Sequence, residues 1–290
     1  MVIRAIYGLP PQEKPTEPEV EMTPDPVIEL RNATKRFRAS SGGVHTAVRD
    51  LTMTVRGGAF VAVVGPTGCG KSTTLSLVSG LEPPSEGVVL VRGEEVFCIP
   101  PGVGYMFQND AVLPWRSVLD NVASGPRYRG SSRAEARDRA RVWVERVGLA
   151  GFEGYYPHQL SGGMRKRVAL AQTLVNEPEI LLMDEPFSAL DVQTRSLMQD
   201  ELLRLWAGSD AAVVFVTHDL EEAIALADRV VVMTASPATV KASFDVALPR
   251  PRNVEEIRMT DEFLFVYREI WDSLREEVNR AREEASHRAA

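Results

Sequence analysis

In GPTGCGKST, the stretch from Gly65 to Thr73, a glycine is followed after four residues by a second glycine, a lysine and a serine. The apolar run AFVAVVG leads into it and predicts a buried strand, while Leu75, Val78 and Leu81 follow at helical spacing. A glycine-rich turn between strand and helix points backbone N–H groups at an anion, and the helix dipole adds positive charge. The pattern therefore predicts a loop that binds the phosphates of a nucleoside triphosphate.

Lys71 and Ser72 give this phosphate loop its expected chemistry. The Lys71 ammonium can reach the β and γ phosphates as a point charge, and the Ser72 hydroxyl can ligate Mg²⁺. A glycine turn that merely ends a strand is the alternative, but it explains neither the fixed order nor the flanking elements. We expect nucleotide contacts along the whole loop, which consists of Gly65, Pro66, Thr67, Gly68, Cys69, Gly70, Lys71, Ser72 and Thr73.

The two cysteines, Cys69 and Cys98, are not spaced like metal ligands. A disulfide at Cys69 would restrain the phosphate loop, so reduced thiols are expected. A thiol at a helix N-terminus beside a lysine has a lowered pKa. The sequence thus predicts that Cys69 is reactive and that bound nucleotide protects it from alkylation.

Two adjacent carboxylates end the apolar run ILLMDE, from Ile180 to Glu185. Side chains alternate along a strand, so Asp184 and Glu185 should point in different directions. One carboxylate can then bind Mg²⁺ while the other faces an attacking water. A strand that runs into a surface turn would give the same letters, but the phosphate loop earlier in the chain favours the catalytic interpretation.

His218 ends another apolar run, VVFVTHD. A single histidine is often structural or solvated. This one follows a strand at the sheet edge where phosphates should lie, which favours a functional role. We expect its imidazole to donate a hydrogen bond to the γ phosphate.

A second anion site is predicted at the start of the segment LSGGMRKRVALAQTL. Ser161 is a good helix cap, and Gly162 and Gly163 leave the first backbone N–H groups accessible. Two phosphate-binding sites in one chain require either two ligands or one ligand shared between chains.

Composition narrows the classes of function. The chain has 290 residues and a net charge of −7, which argues against binding to a nucleic-acid backbone. No apolar run is long enough to cross a membrane, and the residues before Pro10 are too few for a secretory signal. A soluble, cytosolic protein is expected, with proteins or small anions as partners.

The order of patterns along the chain predicts an α/β fold. Residues 1–26 are rich in proline and acidic groups and are expected to form a flexible tail. The main domain, residues 27–248, should begin with an antiparallel β layer, continue into a mixed sheet core and contain a helical subdomain at about 110–176. Repeated strand-then-helix order favours parallel strands with nucleotide at their carboxyl ends.

Residues 249–290 are predicted to form a helical extension. Its last helix should either pack against its own domain or present a surface to a partner. The apolar stripe that supports both options consists of Phe263, Tyr267, Ile270, Leu274 and Val278.

With these motifs in order, residues 27–250 resemble the nucleotide-binding subunit of ATP-binding cassette (ABC) transporters, a P-loop NTPase fold. The ordered set comprises the phosphate loop, Gln108 in YMFQND, the signature LSGGM, the strand ILLMDE, SALD from Ser188 to Asp191, and His218. The resemblance implies a Mg²⁺-dependent ATPase. It implies catalytic roles for Glu185, His218 and Gln108, and metal contacts for Ser72, Gln108 and Asp184.

The resemblance also answers the question of the two anion sites. It implies that Ser161, Gly162 and Gly163 of one chain close on the ATP held by Lys71 of a second chain. The result would be a head-to-tail homodimer that encloses two ATP molecules. Phe37 looks like the aromatic residue that stacks on adenine, and Asp191 is implied to lie at the nucleotide site.

Within the family, the chain looks most like the importers of nitrate, sulfonate, taurine, bicarbonate and related solutes. The segments LPWRSVLDNV and DEPFSALDVQTR carry this likeness, together with Met164 after the signature glycines. Lys166 and Gln172 depart from the usual glutamine and arginine. The importer interpretation implies a membrane permease, a solute-binding protein that acts through it, and a peripheral position on the cytoplasmic face of the inner membrane.

Three alternatives remain at this point. An exporter subunit would keep every catalytic residue. An ABC protein that acts on ribosomes or DNA usually has two cassettes or a coiled-coil insertion. A phosphate-loop kinase would not explain the LSGGM helix.

In the importer interpretation, the apolar loop formed by Leu113, Pro114 and Trp115 should lie near the permease's coupling helix.

Overall fold

The computed structural model describes residues 26–38, 42–109 and 111–289. The predicted tail therefore lies outside the described residues, apart from Pro26. The strands, in chain order, are β1 (Pro26–Arg38), β2 (Val44–Arg56), β3 (Phe60–Val64), β4 (Glu86–Val91), β5 (Glu94–Glu95), β6 (Val103–Met106), β7 (Ile180–Asp184), β8 (Ala212–Thr217), β9 (Arg229–Met233) and β10 (Val240–Asp245).

Most helices lie between β6 and β7 or follow β7. A short 3₁₀ helix at Pro157–Gln159 separates α4 from α5. In chain order the helices are α1 (Lys71–Val78), α2 (Val118–Val122), α3 (Ser124–Tyr128), α4 (Arg133–Arg146), α5 (Gly162–Leu174), α6 (Val192–Trp206), α7 (Leu220–Leu226), α8 (Val254–Ile257) and α9 (Asp261–Ala289).

The core is a six-stranded sheet in the order β10-β9-β3-β8-β7-β6. Its neighbouring strands are parallel except for β9 and β10. Every residue of β3, β7 and β8 is buried, as continuous apolar runs require in a sheet covered on both faces. The predicted α/β fold with a mixed core sheet is confirmed, and the carboxyl ends of β3, β7 and β8 lie at one edge.

A second sheet, antiparallel and in the order β2-β1-β4-β5, confirms the predicted β layer. Its apolar face shares one hydrophobic cluster with α1 and with one face of the core sheet. Backbone hydrogen bonds also tie β2 to the loop after β9, since Arg49 N–H donates to Ala238 O and Ala238 N–H to Ala47 O, both at 2.9 Å. The layer also lies against the phosphate loop, because a Cβ at Gly70 would come within 2.6 Å of Ala47 O in β2.

The helices α2, α4 and α5 share a hydrophobic cluster of their own, distinct from the sheet core. The predicted face of α4 is buried there, through Ala140, Trp143 and Val144. Ser132 and Glu135 close a capping box that begins α4. Because α5 also contributes Ala169 and Leu170 to the sheet core, this helix joins the insertion to the core.

The stripe of α9 packs on its own domain. Phe263, Ile270 and Leu274 are buried against the sheet core. The Glu277 carboxylate accepts a 2.9 Å hydrogen bond from Ala235 N–H, in the turn after β9. The packing interpretation of this helix is therefore the one that the structure shows.

The helix after the phosphate loop is shorter than its apolar spacing predicts. It ends at Val78, and Gly80 follows with a left-handed φ of 72°. Such a residue terminates a helix. Leu81, predicted to be on the apolar face, lies beyond α1 and is 47% exposed.

Candidate functional site

The phosphate loop connects β3 to α1 and folds closely around Lys71. Gly70 takes a φ of 128°, and a Cβ there would lie 2.6 Å from Ala47 O, so only glycine fits. The buried Lys71 ammonium donates hydrogen bonds of 2.9 Å to Gly65 O and Pro66 O. The lysine is thereby held at the centre of the loop.

Ser72 and Asp184 meet beside the loop. The Ser72 hydroxyl donates a 2.9 Å hydrogen bond to Asp184 Oδ1, at the end of β7. Burial raises the pKa of Asp184, and the hydrogen bond from Ser72 offsets only part of this effect. A hydroxyl and a carboxylate are hard oxygen ligands of the kind that Mg²⁺ takes together with nucleotide phosphates. The donor set fits Mg²⁺.

The Glu185 carboxylate contacts the other two predicted catalytic residues, Gln108 and His218. Its Oε2 accepts a 3.3 Å hydrogen bond from Gln108 Nε2 and lies 3.0 Å from His218 Nδ1, a distance at which a protonated Nδ1 donates. Glu185 has a φ of 42°, which is rare outside glycine and locally strained. Its N–H donates to Val216 O at 2.9 Å, so the strained turn is anchored to β8.

Most of these groups line one cleft of about 420 Å³, whereas Gly65, Pro66 and Asp184 are not part of its lining. The cleft opens where β3, β7 and β8 end, as the rule for parallel sheets predicts. Its lining consists of Thr67, Gly68, Gly70, Lys71, Ser72, Thr73, Gln108, Glu185 and His218.

The structure places the remaining predicted residues outside this lining. Phe37 is half-buried on β1, with the Lys35 ammonium 5.1 Å from its ring centroid. Ser161 caps α5 by accepting a 3.2 Å hydrogen bond from Met164 N–H. Asp191 caps α6 by accepting one of 3.0 Å from Thr194 N–H.

Gly163 brings these two helix caps together. A Cβ at Gly163 would lie 2.6 Å from the Cγ2 methyl of Thr194, so the two helices approach closely there. Gly162 is exposed beside it at the first position of α5. The chain thus carries two separate groups of predicted residues: the cleft, and a surface formed by the N-termini of α5 and α6.

The expectation of a reactive Cys69 is wrong. Its side chain is 1% exposed, and burial raises the pKa of the thiol, although the nearby Lys71 ammonium acts in the opposite direction. Cys69 is absent from the cleft lining. The sequence showed the neighbouring glycines and lysine but not the covering layer. Cys98 is the exposed thiol of the pair.

Two buried polar residues that sequence reasoning missed support the site. Asn121 holds the loop that carries Trp115: its Nδ2 donates to Leu113 O at 3.1 Å and its Oδ1 accepts from Leu113 N–H at 2.7 Å. Glu222 accepts a 2.8 Å hydrogen bond from Gln199 Nε2 and another from the Thr217 hydroxyl, next to His218. Neither residue belongs to a sequence motif that predicts these four hydrogen bonds, because the bonds depend on how the neighbouring loops and helices fold around the two side chains.

Trp115 itself is 72% exposed on this clamped loop. Asn121 fixes the backbone on both sides of Trp115 through Leu113 and Arg116, and an exposed aromatic side chain on such a fixed loop is typical of a contact surface. The predicted loop is therefore exposed and also well fixed.

Comparison with known proteins is consistent with the geometry. The sequence profile of the family described as ABC transporter matches residues 48–188. An ABC transporter ATP-binding protein of Methanocaldococcus jannaschii is 44% identical over 251 residues, covering 87% of this chain and 92% of that protein. The nitrate import ATP-binding protein NrtD of Synechocystis is 38% identical over 253 residues, covering 86% of this chain and 95% of that protein.

Further similarities extend to sulfonate import and to solved structures. The aliphatic sulfonates import ATP-binding protein SsuB of Bacillus cereus is 38% identical over 226 residues, covering 78% of this chain and 88% of that protein. The dimeric structure of MJ0796, a bacterial ABC transporter cassette, superimposes with a TM-score of 0.68 at 29% identity, covering 77% of this chain and 100% of that chain. The structure of a post-hydrolysis state of the same cassette bound to ADP and Pi superimposes with a TM-score of 0.67 at 30% identity, covering 77% of this chain and 100% of that chain.

Proposed function

The chain belongs to the ABC transporter family as an ATP-binding ATPase subunit, and on that premise we propose that it powers a membrane permease importing a small solute. Sulfonates and nitrate are the solute class, because import proteins for these anions are among its relatives. The observation that carries the ATPase mechanism is the convergence of Gln108 and His218 on the Glu185 carboxylate.

Nucleotide binding begins at the phosphate loop. Backbone N–H groups of the loop and the N-terminus of α1 hold the phosphates. The Lys71 ammonium already stands inside the loop, bonded to Gly65 O and Pro66 O. It exchanges one of these bonds for the β and γ phosphates, gaining a stronger charge-assisted contact.

The Ser72 hydroxyl and Asp184 carboxylate would hold Mg²⁺, with Gln108 as a further oxygen ligand. When bound, the ion neutralises charge on the β and γ phosphates. Asp184 fits this task because it is buried and already directed at Ser72. In the described residues there is no cluster of three or more His, Cys, Asp or Glu that could bind a metal, and a Mg²⁺ site shared with phosphates needs none.

Glu185 acts on the attacking water. Its carboxylate lies in the cleft at the end of β7, where it orients the water and accepts its proton as the water attacks the γ phosphorus. The amide of Gln108 fixes one side of this carboxylate. His218 holds the same oxygen and donates to the γ phosphate as charge develops there.

The second anion element completes the site from another chain. The caps of α5 and α6 lie outside the cleft lining, so they are available to the ATP of a second copy. We propose a head-to-tail homodimer with Ser161 and Gly163 on the γ phosphate. Similarity to a dimeric cassette supports this arrangement.

The permease would bind at the Trp115 loop, on the cytoplasmic face of the inner membrane. Among the described residues, no helix is both long enough and apolar enough to span a bilayer. Its relatives among import ATP-binding proteins support a separate permease as the membrane-spanning part, with a solute-binding protein acting through it.

Reconstitution tests the function. The chain would be assembled with its partner permease in proteoliposomes, with the matching solute-binding protein outside and ATP inside. We expect ATP-dependent uptake of nitrate or taurine, lost in Glu185→Gln. Hydrolysis that drives efflux instead would support an exporter and contradict import.

A further inference from the structure

Lys166 occupies an unusual place for a charged side chain. It lies in α5, is 3% exposed, and its ammonium donates a 2.8 Å hydrogen bond to the backbone carbonyl of Gln108. Burying an ammonium is costly unless its hydrogens are used. The bond to Gln108 O uses one of these hydrogens and joins α5 to the segment that carries Gln108.

Gln108 needs such a support. It follows the end of β6 at Met106 and is itself exposed, in a stretch with an exposed neighbour, Phe107. Its side chain nonetheless has to stay 3.3 Å from Glu185 Oε2 to fix that carboxylate. A charge-assisted bond to its carbonyl is stronger than a neutral one and restrains the backbone from which the amide extends.

The other end of this connection is the cap of α5. Lys166 lies five residues after Ser161 in the chain, about 7.5 Å along a rigid helix. In the proposed dimer, that cap contacts the γ phosphate held by the second chain. A displacement of α5 on contact would therefore reach Gln108 through the Lys166 bond.

We infer that Lys166 is a positioning residue that makes the placement of Gln108 against Glu185 depend on engagement of the α5 cap with the second chain's ATP. This inference rests on the proposed shared-site function. It assigns to Lys166 a connection between the two nucleotide sites, and a glutamine at this position, shorter by one bond, would reach the carbonyl less well.

The test is a pair of double-mutant cycles on ATP turnover. Lys166→Met keeps an unbranched, mostly apolar side chain and removes the donor, so kcat should fall about 10-fold while the Kd for ATP of the isolated chain stays unchanged. In a Gln108→Ala background the same change should cost less than about twofold, since Lys166 acts through Gln108. The second cycle combines Lys166→Met with Ser161→Ala, and the loss of kcat in the double variant should likewise be smaller than the two single losses multiplied together.

Two further variants separate positioning from folding. Arg167 is the next residue of α5, and Arg167→Met removes its 3.2 Å hydrogen bond to Val147 O. This variant should lower stability but leave kcat unchanged, whereas Lys166→Met should lower kcat. Lys166→Gln keeps a polar donor and should lower kcat by less than Lys166→Met, so it serves if the methionine variant does not fold.

The outcomes are distinct. Wild-type chain without ATP hydrolysis would contradict the proposed function itself. Active wild type with a normal kcat in Lys166→Met, or with additive effects in both cycles, would overturn the inference alone. Equal loss of kcat in Arg167→Met would show a structural effect of α5 and would also overturn it.

Discussion

The Ser72 hydroxyl donates a 2.9 Å hydrogen bond to the Asp184 carboxylate across 112 positions of sequence. The bond joins the first turn of α1 to the end of β7 and places two hard oxygen groups side by side. Burial raises the pKa of Asp184, because the carboxylate loses solvation that this hydrogen bond and the Lys71 charge only partly replace. In the protein without nucleotide, the ionised form of Asp184 is therefore destabilising.

This relationship predicts how Asp184→Asn changes stability with pH. A carboxyl group with a raised pKa in the folded state favours folding only while protonated, so stability is lost as pH rises through that pKa. The variant should have a higher Tm than wild type at pH 7 without nucleotide, and the difference should vanish towards pH 4. Thermal unfolding followed by fluorescence from pH 4 to 8 measures this.

Asp191→Asn is the matched control for this pH profile. A hydrogen bond from the Thr194 N–H lowers the pKa of Asp191, so its ionised form stabilises the protein and the asparagine variant should be the less stable one at pH 7. A lower Tm for Asp184→Asn than for wild type at pH 7 would contradict the claim that the buried, ionised Asp184 carboxylate destabilises the nucleotide-free protein.

Thiol labelling should follow exposure. Cys98 is exposed, whereas Cys69 is covered and its thiol has a raised pKa. Since only the thiolate reacts, iodoacetamide should modify Cys98 first and leave ATP hydrolysis intact. Peptide mass spectrometry against time gives both rates, with Cys98→Ser as the control. Labelling of Cys69 as fast as Cys98 would contradict this prediction.

Trp115→Ala should uncouple the subunit from its permease. The side chain is exposed on a loop held by Asn121, so its loss should leave nucleotide affinity unchanged and reduce hydrolysis stimulated by the permease several-fold. Phe97→Ala removes another exposed aromatic, 80% accessible, and should have no effect. Undiminished stimulation in Trp115→Ala would place the permease elsewhere.

The shared site predicts different effects for two similar helix caps. Ser161→Ala and Ser132→Ala each remove an N-cap, which costs about 1 kcal/mol of stability. Only the first should weaken the ATP-dependent dimer, because only the α5 cap is proposed to contact a second chain's ATP. Size-exclusion chromatography with ATP, in a Glu185→Gln background, compares them. Equal dimer formation in both would contradict a role for Ser161.

The elements with strong local patterns could be predicted from sequence. The apolar runs around Val63, Leu182 and Val214 predict buried parallel strands, and the glycine pattern before Lys71 predicts the turn between β3 and α1. The rule that parallel strands carry ligand at their carboxyl ends then brings Glu185 and His218 to one cleft. These inferences need only the spacing of apolar residues, the residue types in each segment and the order of the motifs along the chain.

Burial and long-range partners could not be predicted in this way. Cys69 has neighbours in sequence that lower a thiol pKa, but packing beneath the loop determines the outcome. Lys166 was visible only as a departure from a usual glutamine. Its bond to Gln108 spans 58 positions and depends on how α5 meets the end of β6.

The most direct test of Glu185 as the group that accepts the proton is the turnover of Glu185→Gln at saturating ATP and Mg²⁺. Glutamine keeps the shape and can still bond to Gln108 and His218, but it cannot take a proton. We expect ATP affinity to remain close to that of wild type and turnover to fall by about 10² or more, the contribution of a general base. Turnover near the wild-type rate would contradict this role of Glu185.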